Sequence, residues 1–257
     1  MHYKAIMLDV DGTLIPYQYD ATPSKRVKEA ITKAKEKVHI CLVTGRSYYS
    51  TKKILKPLGL TEGYIVIDTG AFVIDIANNK VVHKQTIEPS DVQRTIDVFE
   101  KNNITFYIKN EESLSRNNDD FPPFEKGDDP GNVSMFYTYE DFTLDQTHTI
   151  MKELSLPHLN IYRTRHKNPE KYGLNITHVN ATKLHGIEVV AEKLNLKRED
   201  IIGVGDGYND FPLLMASGLK VAMGNAIADL KEIADYVAPT VDEDGVADVI
   251  EKYILRS

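Results

Sequence analysis

Ala5-Ile6-Met7-Leu8-Asp9-Val10-Asp11-Gly12-Thr13-Leu14 is the stretch that decides how this chain is read. Four apolar residues stop abruptly at a carboxylate. A short unbroken apolar run marks a strand buried on both faces, as in a parallel sheet. Open parallel sheets bind ligands beyond the C-terminal ends of their strands, so the carboxylates stand where chemistry is expected. If the strand conformation continued, Asp9 and Asp11 would face the same way. Such a pair can share a hard cation such as Mg2+, which takes oxygen ligands. An Asp carboxylate can also attack a phosphorus centre itself. Two plainer readings stand beside these. Asp-Gly is a common turn dipeptide. A calcium loop is also possible, although its glycine would come two places early and a strand rather than a helix precedes it.

Outward from this segment the chain alternates. Thr22-Pro23-Ser24 opens a helix with Val27, Ala30, Ile31 and Ala34 at helical spacing. Val38–Val43 is a second buried strand, closed by Thr44-Gly45-Arg46. Ser47–Leu55 reads as a helix ending near Pro57 and Gly59, and Tyr64–Ile67 as a third strand. This order predicts a parallel sheet with helices on both faces. The rhythm then changes. Ala71–Ile76 and Lys80–Lys84 flank Asn78-Asn79 as a hairpin. Helix Pro89–Lys101, strand Ile104–Ile108, a polar loop over Glu111–Asn132, strand Val133–Tyr137, helix Leu144–Leu154 and strands Leu159–Thr164 and Leu174–Val179 follow. The alternation returns with helix Lys183–Leu194, buried strand Ile201–Val204, helix Asn209–Ser217, and a last helix near Val246–Ile254. The expected fold is α/β: a Rossmann-like parallel-sheet core from residues 1–81 and 180–257, with an α+β unit inserted over residues 82–179. Linkers are expected near Lys80–His83 and His178–Ala181.

Three further segments join the first at the same sheet edge. In Gly203-Val204-Gly205-Asp206-Gly207-Tyr208-Asn209-Asp210 a buried strand again runs into carboxylates. Asp206 could complete a cation site, or the segment could be a glycine-rich turn with an Asn or Asp helix cap. A dinucleotide fingerprint fails, because Tyr208 stands where its third glycine belongs. Thr44-Gly45-Arg46 offers a hydroxyl and backbone N–H groups to a phosphate oxygen, or is simply a strand-ending turn. Lys183 begins a helix, and taken alone it reads as one more solvated lysine. Their shared placement is what raises all four.

Composition removes whole classes of function. With 31 basic and 38 acidic residues the net charge is −7, against a general nucleic-acid binder but not against a small anionic substrate. The single cysteine, Cys41, excludes an internal disulfide or a multi-cysteine metal site and reads as a buried strand thiol. His148, His158, His166, His178 and His185 show no recognised metal spacing. Phe121-Pro122-Pro123-Phe124 reads as a hydrophobic loop anchor, with a loop reaching over the site as the alternative. No segment reaches the ~18 apolar residues of a membrane span, and the N-terminus meets Asp9 too soon for a signal peptide. The expectation is a cytoplasmic protein, a monomer or weak homodimer, with no membrane or nucleic-acid partner.

Taken together, these segments resemble the haloacid dehalogenase (HAD)-like hydrolase superfamily, in its Cof-type branch with a class II cap between the second and third core motifs. Asp9-Val10-Asp11-Gly12-Thr13-Leu14 matches the first motif, Thr44-Gly45-Arg46 the second, Lys183 the third, and Gly205-Asp206-Gly207-Tyr208-Asn209-Asp210 the fourth. Met223-Gly224-Asn225-Ala226 and Asp244-Gly245-Val246 are also familiar in this branch. The resemblance is strong over both core segments, and in the cap it extends only to length and element order. It implies a Mg2+-dependent phosphatase of small phosphorylated metabolites, with sugar phosphates as one class. Asp9 would be the nucleophile and Asp11 the general acid and base. Mg2+ would sit on the Asp9 carboxylate, the Asp11 backbone carbonyl and Asp206. Thr44, Lys183, Asn209 and the N–H groups of Val10 and Gly45 would hold the phosphoryl oxygens, with Arg46 in a supporting place and Asp210 supporting the metal or orienting Lys183. A phosphomutase of the same fold, or a metabolite sensor that kept the pocket, are the alternatives. Two departures from the pattern are Thr69 in Thr69-Gly70-Ala71, where asparagine is usual, and Leu184 after Lys183, where glycine is usual.

Overall fold

A computed structural model describes residues 3–18, 20–111, 123–138, 142–165 and 171–256. The chain forms two compact units: Met1–Arg46, Ser50–Lys84 and Thr182–Ser257 make the first, Ser47–Tyr49 and Gln85–Ala181 the second.

The first unit is built on β1 (Ala5–Leu8), α1 (Lys25–Ala34), β2 (His39–Val43), α2 (Tyr48–Leu58, whose first two residues count with the second unit), β3 (Tyr64–Ile67), β4 (Phe72–Asp75) and β5 (Lys80–Lys84). In α1 the Ser24 hydroxyl accepts the Val27 N–H and caps the first turn, while Val27, Ala30, Ile31 and Ala34 are buried along one face. β1, β2 and β3 pair in parallel, and every residue of β1 is buried, as its unbroken apolar run requires. β4 and β5 form the hairpin and add to the same sheet antiparallel. Lys80–His83 is therefore paired strand in the core sheet rather than a linker.

The second unit comprises α3 (Pro89–Lys101), β6 (Tyr107–Asn110), β7 (Val133–Tyr137), α4 (Leu144–Glu153), β8 (Leu159–Arg165) and β9 (Tyr172–His178). Its four strands form an antiparallel sheet in the order β6-β7-β9-β8. Phe99 of α3, Ile150 of α4, and Phe136, Leu174 and Ile176 of the sheet share one apolar core. The Ile104–Ile108 run does not pair as a strand until Tyr107. Ile104 instead turns back on α3, its N–H bonded to the Phe99 carbonyl at 2.9 Å, and Ile104 and Phe106 are spent on the core. Phe124 stacks on Phe106 with ring centres 5.4 Å apart, an anchoring contact; Phe121 and Pro122 lie outside the described residues. No described helix is long and apolar enough to cross a membrane.

The chain re-enters the first unit with α5 (Lys183–Lys193), β10 (Ile201–Gly205), α6 (Phe211–Met215), β11 (Leu219–Ala222), α7 (Ala228–Glu232), β12 (Tyr236–Val237) and α8 (Gly245–Ile250). The full sheet order is β12-β11-β10-β1-β2-β3-β4-β5. From β1 the chain first builds outward on one side and later, from β10, on the other. β1 and β10 therefore flank a topological switch point, the place where open α/β sheets bind their ligands. The helix expected over Asn209–Ser217 is split. Tyr208–Asp210 is a tight 3₁₀ turn and α6 begins only at Phe211. Pro212 has no N–H to donate to the preceding turn, and it stands at the start of α6, where that N–H is not needed.

Candidate active site

β1 and β10 are paired in parallel, Leu8 opposite Val204, so Asp9 and, one residue further along β10, Asp206 emerge at the same edge of the sheet. The Asp9 N–H still bonds to the Val204 carbonyl at 3.0 Å. After that the chain turns. The N–H groups of Leu14 and Ile15 both donate to the Val10 carbonyl, at 2.9 and 3.0 Å, and the Gly12 N–H donates to the Ile15 carbonyl at 2.7 Å. Gly12 has φ +80°, and a Cβ there would fall 2.3 Å from Tyr17 Cε2 and 2.4 Å from Asp206 Oδ2. Only glycine fits this turn, both for its backbone and for what crowds it.

Lys183 opens α5 and its side chain is fully buried. Its ammonium bonds to Asp9 Oδ1 and to Asp210 Oδ1 at 2.6 Å. Asp210 turns its other oxygen to the N–H groups of Asp206 and Gly207, both at 2.9 Å. It thus orients the lysine and closes the β10 loop at once. α5 is set in place from below: Gly70, with φ +113°, has no Cβ, and one would meet the Thr182 carbonyl at 2.1 Å. Asp206 accepts the Thr13 hydroxyl on Oδ1 at 3.1 Å and the Tyr17 hydroxyl on Oδ2 at 3.0 Å.

Asp9, Asp206 and Asp210 bring carboxylate oxygens within 4.8 Å of one another, all three buried, and among the described residues no other such group of three forms. Ionised, they carry −3 against the +1 of Lys183. Burial, then the neighbouring Asp210, holds Asp9 well above the usual carboxylate range, with Lys183 opposing. Burial and Asp210 likewise push Asp206 up to about 6. Burial pulls Lys183 down, but Asp210 and Asp9 outweigh it and raise it. An all-oxygen set with this excess of negative charge is what a hard divalent cation requires.

Asp11 does not join the three. The strand ends at Leu8 and the following turn sends its carboxylate to Arg46, which grips it with Nε at 2.8 Å and Nη2 at 2.6 Å. Arg46 in turn donates its backbone N–H to the Thr44 hydroxyl at 3.1 Å. Thr44 and Val10 are buried. Gly45 packs toward Thr69, whose hydroxyl would lie 3.4 Å from a Cβ at that position. Asn209 shares the turn with Asp210 but is exposed. Leu184 is half-buried in the first turn of α5. Thr69 is buried with φ +61°, a left-handed conformation that a β-branched residue rarely takes and asparagine takes more readily.

Sequence reasoning missed three contacts. The Tyr17 and Thr13 hydroxyls on Asp206 are two. The third is Asn225, which donates to the Gly12 carbonyl at 2.8 Å and accepts the Val241 N–H at 2.9 Å. Asn225 lies in a segment that had stood out, Met223–Ala226, but nothing local says what it touches. His178 accepts the Asn180 N–H on Nδ1 at 3.0 Å and His185 pairs with Thr182 at 2.7 Å; His166 lies outside the described residues.

A family model described as haloacid dehalogenase-like hydrolase matches residues 6–250. The Bacillus subtilis 5-amino-6-(5-phospho-D-ribitylamino)uracil phosphatase YcsE is 29% identical over 254 residues, covering 98% of this chain and 96% of that protein. A haloacid dehalogenase-like hydrolase from Bacteroides thetaiotaomicron superposes with a TM-score of 0.80 at 24% identity, covering 97% of this chain and 99% of its own. A HAD subclass IIB sugar phosphatase does so with the same TM-score at 22% identity, covering 96% and 98%.

Proposed function

This chain belongs to the haloacid dehalogenase-like hydrolases and is a phosphatase of their Cof-type branch, and on that premise we propose that it hydrolyses small phosphorylated metabolites through an aspartyl phosphate formed on Asp9, with Mg2+. The observation that carries this reading is Asp9 itself. It is a buried carboxylate at the end of β1, facing Lys183, in a cluster whose negative charge exceeds its positive.

In the proposed reaction an Asp9 oxygen attacks the substrate phosphorus and the P–O bond to the leaving group breaks. Asp11 gives its proton to the departing alkoxide. It then takes one from the water that attacks the aspartyl phosphate, releasing inorganic phosphate and restoring Asp9. For this work Asp11 must turn an oxygen to the leaving group, so the Arg46 fork releases one of its two bonds. Lys183, Thr44, Asn209 and the N–H groups of Val10 and Gly45 are assigned to the phosphoryl oxygens. Fixed donors of this kind supply most of the stabilisation in phosphoryl transfer. Mg2+, held by the Asp9 carboxylate, the Asp11 backbone carbonyl and Asp206, would supply the positive charge that lets an anionic carboxylate approach an anionic ester. The inserted α+β unit is assigned the choice of substrate, because these residues all belong to the other unit.

The substrate class is drawn from the relatives: YcsE is named for a phosphorylated ribitylaminouracil, which supports a small phosphate ester, and sugar phosphates are the first class to screen. The test is release of inorganic phosphate from a panel of phosphorylated metabolites. It should occur with Mg2+, stop with EDTA, return on adding Mg2+ back, and be poorly supported by Zn2+. Full turnover after exhaustive chelation would refute the metal assignment. Conversion to an isomeric sugar phosphate without phosphate release would make the enzyme a mutase instead.

A further inference from the structure

Tyr17 is an exposed aromatic residue, 70% accessible, in the loop that follows the first motif. So exposed a ring gains little from hydrophobic burial, and its position needs another cause. Its hydroxyl donates to Asp206 Oδ2 at 3.0 Å, while the Thr13 hydroxyl donates to Asp206 Oδ1 at 3.1 Å. The ring edge lies against Gly12, where a Cβ would come within 2.3 Å of Tyr17 Cε2. Gly12 is itself held by Asn225 through its carbonyl. The two hydroxyls thus hold the two oxygens of one carboxylate, and each oxygen keeps lone pairs for a further partner.

We propose that Tyr17 is a positioning residue of the cation site. With Thr13 it fixes the rotation of the Asp206 carboxylate, so that the remaining lone pairs are already presented toward the oxygens of Asp9 before a cation arrives. The inference rests on the Mg2+ assignment made above for Asp206. Hydrogen bonds from outside the ligand set commonly govern metal affinity in this way, by roughly 10- to 100-fold when one is removed. Tyr17 supplies one of two such bonds, which places its effect at the lower end.

Tyr17→Phe tests this, because it removes the hydroxyl and leaves the ring against Gly12. Mg2+ is titrated calorimetrically into substrate-free wild-type protein, Tyr17→Phe and Thr13→Val. Tyr17→Phe should raise the Mg2+ Kd roughly 10-fold, Thr13→Val should also weaken binding, and the metal-free unfolding midpoint of Tyr17→Phe should match the wild type. The Mg2+ concentration giving half-maximal rate should rise in step with Kd. A Tyr17→Phe affinity within twofold of wild type would overturn the inference alone. So would tighter binding, since the hydroxyl would then be a competitor of the cation. Wild-type protein that takes up no Mg2+ would overturn the metal assignment, and this inference with it.

Discussion

Lys183→Met isolates the charge balance of the Asp9, Asp206 and Asp210 cluster. Methionine is unbranched and adaptable and can occupy the same fully buried space, but it loses both bonds, to Asp9 and to Asp210. Three buried carboxylates then lose the ammonium that faces two of them. Removing one member of a buried ion pair destabilises by about 3–5 kcal/mol, because an uncompensated charge stays behind. Here a carboxylate can take up a proton instead, and Asp9 is already pushed in that direction by burial and by Asp210. The loss should therefore lie near the lower figure, about 3 kcal/mol. In a chain of this size each kcal/mol moves the midpoint by roughly 2–4 °C, so a fall of about 6–12 °C is expected in EDTA. Lys25→Met is the control: Lys25 pairs with Glu29 at 3.8 Å, both side chains largely exposed, and such pairs contribute little. Thermal unfolding followed by circular dichroism and calorimetry gives both numbers. If Lys183→Met melted within ~2 °C of the wild type, the lysine would not be what offsets the carboxylates.

Asp9→Asn keeps the shape of the proposed nucleophile and removes its charge, so turnover should fall at least ~10³-fold while the melting midpoint holds or rises; an active purified variant would remove Asp9 from the mechanism. Thr69→Asn should relieve the left-handed strain at φ +61° and raise stability by about 1 kcal/mol. A lower midpoint would show that the threonine side chain contributes more than its backbone loses. Burial pushes the Cys41 thiol up to about 12, so almost no thiolate exists at pH 8. Iodoacetamide should leave the folded protein unlabelled and modify it fully in urea, and mass spectrometry distinguishes the two.

The parts of this molecule that depend on strand burial were legible in the sequence. Ala5–Leu8 and Ile201–Val204 read as strands with both faces covered, the first stopping at Asp9 and the second at Gly205-Asp206, so the placement of Asp9 and Asp206 at one sheet edge followed from local pattern. Lys183 was legible only by its position relative to the others, since nothing in its own neighbourhood marks a lysine for burial. The direction of Asp11 was not legible. Period-two reasoning assumes the strand continues, but it ends at Leu8, and the partner that then claims the carboxylate, Arg46, is fixed by a different loop. Tyr17 and Asn225 were invisible for the same reason: their partners lie 189 and 213 positions away in sequence. The start of β6 was misplaced because Ile104–Phe106 satisfies a strand's hydrophobicity while burying its side chains in a turn. The split before α6 was announced by Pro212, although Asn209-Asp210 looked equally good as a helix cap.

The reversal of strand order between β1 and β10 also governs when, during synthesis, the protein can acquire its site. β1 is made before its neighbours, and the one on one side, β10, follows almost two hundred residues later. At roughly 5–20 residues per second, that interval is about 10–40 s. During it, β1 can pair with β2 but one edge stays open. The inserted unit, nearly continuous in sequence from Gln85 to Ala181, is complete before β10 exists. Asp9 thus waits as an isolated carboxylate until Lys183 and then Asp206 and Asp210 arrive from the last third of the chain. The proposed cation and phosphate sites therefore depend on the late-made strands, and a chain truncated before β10 would be left with five of the eight strands and no site.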